Sequence, residues 1–307
     1  METNMAWVFL AGPYAFKFKK PIRRDFLDFS TLELRRSNGR DEVHLNRRLA
    51  GDVYIGLVPL TVNDAGELEL EGNEQPVEWL VKMQRLPSDR MLDYLIERDA
   101  VEHEEIRTVA TKLATFYRNA SPEPVSALEY LQRQRNDVCG NGEALCNPRY
   151  GLPLDLVHRV IKAQESFLNA CGHLLEARVV ERHIIEAHGD LRPEHICLLP
   201  EPVIFDCLEF NRSFRIIDTA DELAFLSMEC EALGAPYVEE IVFDTYTEIT
   251  RDRPPPRLIE YYKCYRAGLR AKLAIWHLKD DGGVKTEKWR KQAISYLELA
   301  ASHLPLC

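Results

Sequence analysis

The residues with the clearest chemical signal lie in one short run, His188-Gly189-Asp190-Leu191-Arg192-Pro193-Glu194-His195, with Asp206 eleven positions beyond its end. Between them, CLLPEPVIFD reads as an apolar hairpin turned at Pro200-Glu201-Pro202, and Asp206 closes its second strand. A carboxylate leaving a core strand is costly to bury unpaired, and a cation offsets that cost. Two aspartates brought to one cleft in this way suit phosphoryl transfer. One orients and deprotonates an acceptor hydroxyl, and the other holds magnesium on nucleotide phosphates. The local density of His and Asp also admits a metal-dependent hydrolase using His183, His188, Asp190, His195 and Asp206. That reading leaves a lysine-bearing hairpin near the N-terminus without a role.

The elements that position these residues follow from periodicity and punctuation. WVFLAG and PYAFKFKKP read as two β-prone runs joined at Gly12-Pro13. Lys17 and Lys19 share one face of the second run, because side chains alternate along a strand. Ser30 or Thr31 can cap a following helix, and Gly39 inside it places the helix proper from about Asp41. VYIGLVPLTV, ELELEG and VEWLVKMQRL supply further strands up to Pro87. Beyond that point the pattern turns helical, with Met91, Leu92, Leu95 and Ile96 at helical spacing, then Val109, Leu113 and Phe116. Residues 134–153 lack periodicity and read as a long surface loop, followed by one helix from about Pro153 to Arg182. The expected architecture is α+β. It has a small strand-rich lobe over 1–86 and a larger helical lobe over 87–307.

HGDLRPEH resembles the catalytic loop of the aminoglycoside phosphotransferase-like branch of the protein-kinase fold, whose usual form is HGDxxxxN. It also parallels the protein-kinase pattern HRDLKPEN, and IFD at 204–206 resembles the strand ending in the metal-binding aspartate. WVFLAGPYAFKFKKP, FLDFSTLELRR and LNRRLA resemble the small lobe of an uncharacterised bacterial group in this branch, one often fused to a P-loop kinase domain. RIIDTADELAFLSME and YRAGLRAKLA resemble its C-terminal helices. No G-x-x-x-x-G-K-[ST] occurs here.

The resemblance implies a two-lobed protein-kinase-like fold and an ATP-dependent phosphotransferase acting on a hydroxyl of a small molecule. It implies Asp190 as catalytic base and Arg192 as a guanidinium neutralising the transferring phosphoryl oxygens. Lys17 or Lys19 would grip the α- and β-phosphates, with Ala15-Phe16-Lys17 favouring the former, and Glu42 would be the helix partner. Met83, Gln84 and Leu86 fall where a hinge backbone would read adenine. Asp206 would be the principal metal ligand, and Asp218 a structural anchor. His195 stands where the family has an asparagine that binds a second metal. Imidazole nitrogen suits softer metals than magnesium, so the cofactors implied are ATP with Mg2+ or Mn2+. His195, with no GxGxxG ahead of the hairpin, also motivates a second reading: a nucleotide-binding pseudokinase acting as a regulatory or interaction module.

Composition narrows the partners. The 307 residues carry 39 Lys+Arg against 49 Asp+Glu, a net charge of −10, which argues against a general nucleic-acid surface. No apolar run approaches the ~18 residues of a membrane span, and METNMAWVFLAG lacks a basic leader region, so the expected location is cytoplasmic. The eight cysteines are widely spaced and expected to be reduced thiols. Residues 216–249 hold nine acids and no Lys or Arg. They read as a solvated helix face or as an acidic rim attracting a cationic acceptor.

Overall fold

The computed structural model describes residues 2–24, 26–280 and 286–306. The chain divides into two compact units, Met1–Lys112 with His188–Arg215, and Leu113–Ala187 with Ile216–Cys307. The turnover at Pro87 is thus a change from strand to helix, whereas the division by compactness places the run 188–215 with the strand-rich residues. The fold is α+β, as expected, with a five-stranded antiparallel sheet followed by a helical region.

In the first unit, strands β1 (Ala6–Ala11) and β2 (Tyr14–Lys19) form the expected hairpin. Its turn needs glycine, because Gly12 has φ 56°. Helix α1 (Leu32–Ala50) follows, capped by the Thr31 side chain, which accepts from the Leu34 N–H. Strands β3 (Tyr54–Val62), β4 (Leu68–Leu70) and β5 (Glu78–Gln84) complete a sheet of order β1-β2-β5-β3-β4. Helix α1 runs unbroken through Gly39, which corrects the start expected near Asp41. A Cβ at Gly39 would lie 2.6 Å from Leu57 Cδ1, so the missing side chain lets α1 settle onto β3. One face of α1 sends Val43 and Ala50 into an apolar cluster with Ala15, Tyr54, Val81 and Met83. On the same helix Glu42 and Asn46 are buried polar residues, and both belong to the site described below. The hairpin around Pro200-Glu201-Pro202 is present, pairing Ile196–Cys197 with Val203–Ile204.

The second unit contains helices α2 (Ala127–Leu145), α3 (Leu154–Cys171), α4 (His173–Val180), α5 (Thr219–Ala232), α6 (Val238–Thr250), α7 (Pro256–Asp280) and α8 (Thr286–Ser302). Helix α2 overturns the first part of the loop expected over 134–153, up to Leu145, while 146–153 remains outside any α-helix. It starts at a capping box between Ser126 and Glu129, and its buried positions include Gln134, Val138, Asn141 and Leu145. Two of those four are amides, which interrupt the hydrophobic period of the inward face. Gly142 lies where a Cβ would come within 3.2 Å of Ile161 on α3. The single helix expected over 153–182 is two helices that meet at Gly172.

The acidic stretch is not one solvated face. Asp218, Asp221, Glu222 and Glu229 are all buried. Arg178 pairs with Asp218, Arg266 with Asp221, Tyr117 with Glu222 and Arg270 with Glu229, so these four acids hold the unit together. Cys171 is disulfide-bonded, which corrects the expectation of eight thiols, while Cys139, Cys146, Cys197, Cys207, Cys230 and Cys264 are free. No helix among the described residues is long and apolar enough to cross a membrane.

His303, just beyond α8, makes a pH-dependent contact in this unit. Its ring nitrogens lie 2.7 Å from Glu260 Oε2 and 2.9 Å from Glu231 Oε1. Burial opposes the imidazolium, but the Glu260 hydrogen bond and both carboxylates outweigh it and raise the pKa above 6.5, with Lys263 acting the other way. A raised pKa gives stability that is full below the unfolded value and fades as pH rises through the folded one. His303→Gln should therefore lower Tm by about 2–4 °C near pH 6, and by progressively less under alkaline conditions. Melting curves for both proteins across pH check this, and a pH-independent difference would contradict it.

Candidate active site

The central feature of the first unit is a chain of alternating charges. Lys17 Nζ lies 2.8 Å from Glu42 Oε1 and 2.6 Å from Asp206 Oδ1. Lys19 Nζ lies 2.6 Å from Glu42 Oε2 and also contacts Glu209. Two lysines on one strand face, separated by a single residue, therefore take one oxygen each of the same carboxylate. Glu42 is fully buried, yet the lysines keep its pKa below the carboxylate norm against the opposing effect of burial. Burial likewise disfavours the Lys17 ammonium, but Asp206 and Glu42 more than compensate and raise its pKa well above normal. Burial would raise Asp206, but Lys17 holds it well below the usual range. The Asp206 side chain keeps 39% exposure, so it has an open side as well as a lysine partner.

Backbone contacts fix Asp206 in place. Its φ of 60° is left-handed, a conformation aspartate tolerates better than most residues. Its N–H donates to Tyr54 Oη at 3.3 Å, and the next N–H, of Cys207, donates to Asn46 Oδ1 at 2.8 Å. Asn46 in turn donates from Nδ2 to the Glu42 carbonyl at 2.8 Å. One turn of α1 thus supplies both the carboxylate for the lysines and the amide that holds the aspartate segment.

The loop 188–195 is organised by its two histidines. His188 Nε2 lies 2.9 Å from the Phe205 carbonyl, which can only accept, so Nε2 carries the proton and Nδ1 accepts from the Asp190 N–H at 3.4 Å. Burial, with some help from His195, pushes the His188 pKa down to about 3. A neutral prop fits that position better than a proton carrier. Gly189 has φ 86°, and a Cβ there would approach Arg215 Cγ to 3.0 Å and the Phe214 carbonyl to 3.3 Å. His195 Nδ1 lies 2.8 Å from the Asp190 carbonyl, which places its proton on Nδ1. Nε2 is then an acceptor, taking the Arg192 Nη2 N–H at 3.3 Å, and it lies 3.7 Å from Asp206 Oδ2. Arg192 Nη2 also donates to Asp190 Oδ2 at 3.0 Å, and its Nη1 is held by Glu194.

The sequence candidates Lys17, Lys19, Glu42, Asp190, Arg192, His195 and Asp206 all fall in this unit, linked by the contacts above. Met83 packs in the apolar cluster, Leu86 lies against it, and Gln84 ends the paired strand opposite Tyr14. Next to them, the Arg85 N–H is taken by the Pro13 carbonyl at 2.8 Å. His183 belongs to the other unit, with Nδ1 3.4 Å from Asp252. Among the described residues no three His, Cys, Asp or Glu side chains group around a metal position. Sequence reasoning missed Tyr54, Asn46 and Glu209. Glu209 had a signal: two lysines on one strand face need more counter-charge than Glu42 alone provides.

No protein-family profile matches the chain. It is 30% identical over 308 residues to uncharacterized proteins of Mycobacterium tuberculosis and Mycobacterium bovis, covering 99% of this chain. The chain spans 59% of the length of these curated relatives. Among solved structures it resembles a choline/ethanolamine kinase family protein from Mesorhizobium loti, with TM-score 0.55 and 13% identity over 99% of this chain and 90% of that one. It also resembles aminoglycoside 2'-phosphotransferase-IIIa in its GDP complex, with TM-score 0.53 and 15% identity over 98% of this chain and 91% of that one. A choline kinase from Cryptosporidium parvum gives TM-score 0.54 at 11% identity, over 99% and 90% of the two chains. The likeness is one of fold: the chain folds as these small-molecule kinases do.

Proposed function

We propose that this chain is an ATP-dependent phosphotransferase that moves the γ-phosphoryl group to a hydroxyl of a small-molecule acceptor. The observation that carries the reading is the Lys17–Asp206 contact at 2.6 Å with Glu42 behind the lysine, in the same unit as the Asp190 loop. Lys17, 13% exposed, is the lysine placed for phosphate, because the Lys19 ammonium is enclosed between Glu42 and Glu209. Asp190 is the group for the acceptor proton, since its carboxylate keeps 31% exposure and is oriented by Arg192. Arg192 lies beside it to meet negative charge as it develops. The backbone at Met83, Gln84 and Leu86 would meet the base end of the nucleotide.

The donors fit a divalent cation. The Asp206 side chain keeps an open side, and His195 Nε2 lies 3.7 Å from its Oδ2. Magnesium or manganese there supplies charge neutralisation on the phosphates, and Asp206 with His195 would hold it, with phosphate and water completing the shell. The acid Glu209 is excluded from that role by its pairing with Lys19. A cationic acceptor gains no support from the four buried acids of 216–249, which are paired internally.

Thermal-shift titration with ATP and either metal, then turnover with hydroxylated acceptors, tests the reading. Wild type should be stabilised by ATP with metal, and Asp206→Ala should lose that metal-dependent stabilisation while melting cooperatively. Equal stabilisation of both proteins would remove Asp206 from the metal site. Binding without turnover across acceptors would favour the pseudokinase, to which His195 in the asparagine position lends support.

A further inference from the structure

We propose that Glu209 is a positioning residue, acting through Lys19 to hold Glu42, and thereby Lys17, in the phosphate-gripping arrangement; this rests on the phosphotransferase reading. The argument begins with charge. Lys19 is 4% exposed, and its ammonium meets Glu42 Oε2, Glu209 and the Phe29 ring, with the ring centroid 5.5 Å away. A buried ammonium needs a paired carboxylate. Lys19 has two, so Glu209 anchors its ammonium on one side while the same ammonium holds Glu42 Oε2 on the other. With Glu209 present, Glu42 gives Oε1 to Lys17 and Oε2 to Lys19. When Asp206 turns to a metal, the remaining two lysines and two glutamates balance without it.

The second part of the argument is connectivity. Glu209 sits three residues after Asp206 on the same segment, so the Lys19–Glu209 contact pins that segment to β2 beside Lys17. Arg215 fixes its backbone, donating from Nη1 to the Leu208 carbonyl at 2.9 Å and the Glu209 carbonyl at 3.4 Å. The same Arg215 lies where any Cβ on Gly189 would collide, next to Asp190. Glu209 therefore joins the lysine strand, the aspartate segment and the loop of the acceptor base, without itself facing a ligand.

The test combines nucleotide-free crystal structures with titration by ATP and magnesium. In Glu209→Gln the separation of Lys17 Nζ from Glu42 Oε1 should open beyond ion-pair distance, and the Kd for ATP should rise about tenfold. Glu209→Asp should restore part of the affinity. Lys19→Met should reproduce the loss, and adding Glu209→Gln to it should cost nothing further, because the two residues act in series. If Glu209→Gln does not fold, Lys19→Met with Glu209→Leu replaces the buried pair by apolar groups and carries the same readouts. An unchanged Lys17–Glu42 contact in the variant overturns the proposal. Failure of wild type to bind ATP with either metal overturns the phosphotransferase reading instead, and the pair of crystal structures still decides the role of Glu209.

Discussion

Asp190→Asn should lower phosphoryl transfer by roughly 10²–10⁴-fold, the usual cost of losing a positioned general base. The substitution keeps the side-chain shape and leaves an oxygen able to accept from Arg192 Nη2, which lies 3.0 Å from Oδ2 in the native protein. The loop should stay in place, because its geometry depends on His188, Gly189 and the Asp190 backbone carbonyl bound by His195. Nucleotide affinity should accordingly change little, since Lys17 and Asp206 are untouched. Initial rates and ATP binding measured on the same preparations separate the two effects. Full activity in the variant would mean that another group takes the acceptor proton.

The largest expected loss of stability lies in the other unit, at Arg178. Its side chain is 3% exposed and bidentate to two carboxylates. It reaches Asp218 through Nε and Nη2 at 2.8 Å each, and Asp252 through Nη1 and Nη2 at 2.6 Å each. Tyr262 donates to Asp218 at 2.9 Å, and Tyr246 donates to Asp252 at 2.5 Å. Arg178→Met keeps the stem but leaves two buried carboxylates facing each other without a cation, a change that costs about 3–5 kcal/mol. That is a large share of the ~5–15 kcal/mol that holds a typical domain. Urea unfolding should show the midpoint fall, and adding Asp252→Asn should recover part of the loss. A change below about 1 kcal/mol would show that water or tyrosine already satisfies those acids.

What could be read from the sequence follows how each feature is encoded. The hairpin with Lys17 and Lys19 was legible because strand alternation, Gly12-Pro13 and apolar neighbours all agree. The loop around Asp190 was legible because several residues of one short run each carry a role. Helix α2 was not, because Gln134 and Asn141 occupy inward positions where a periodicity argument looks for hydrophobic groups. Gly39 was misread as a breaker, because its use is steric and lies 18 residues away at Leu57. The acids of 216–249 looked solvated because their cations are distant in sequence: Arg178 before them, Arg266 and Arg270 after. Long-range pairing of that kind leaves no local pattern. For Glu209 the lysine pair signalled that a further acid was needed but not which one, because the partner is 190 positions from Lys19.

The contact between Lys17 and Asp206 also bears on how a phosphate ligand enters. On the phosphotransferase reading, Lys17 already has two anionic partners, so a phosphate reaching it would compete with Asp206 while Glu42 stays behind it. Entry is then an ion exchange at a fixed cation rather than the filling of a bare positive site. Exchange of one anion for another leaves the number of pairs on Lys17 unchanged, and it would release Oδ1 of Asp206, a side chain that already has an open side. Asp206 would then be available to hold a metal with its whole carboxylate, and a phosphate without that metal would leave the carboxylate facing another anion.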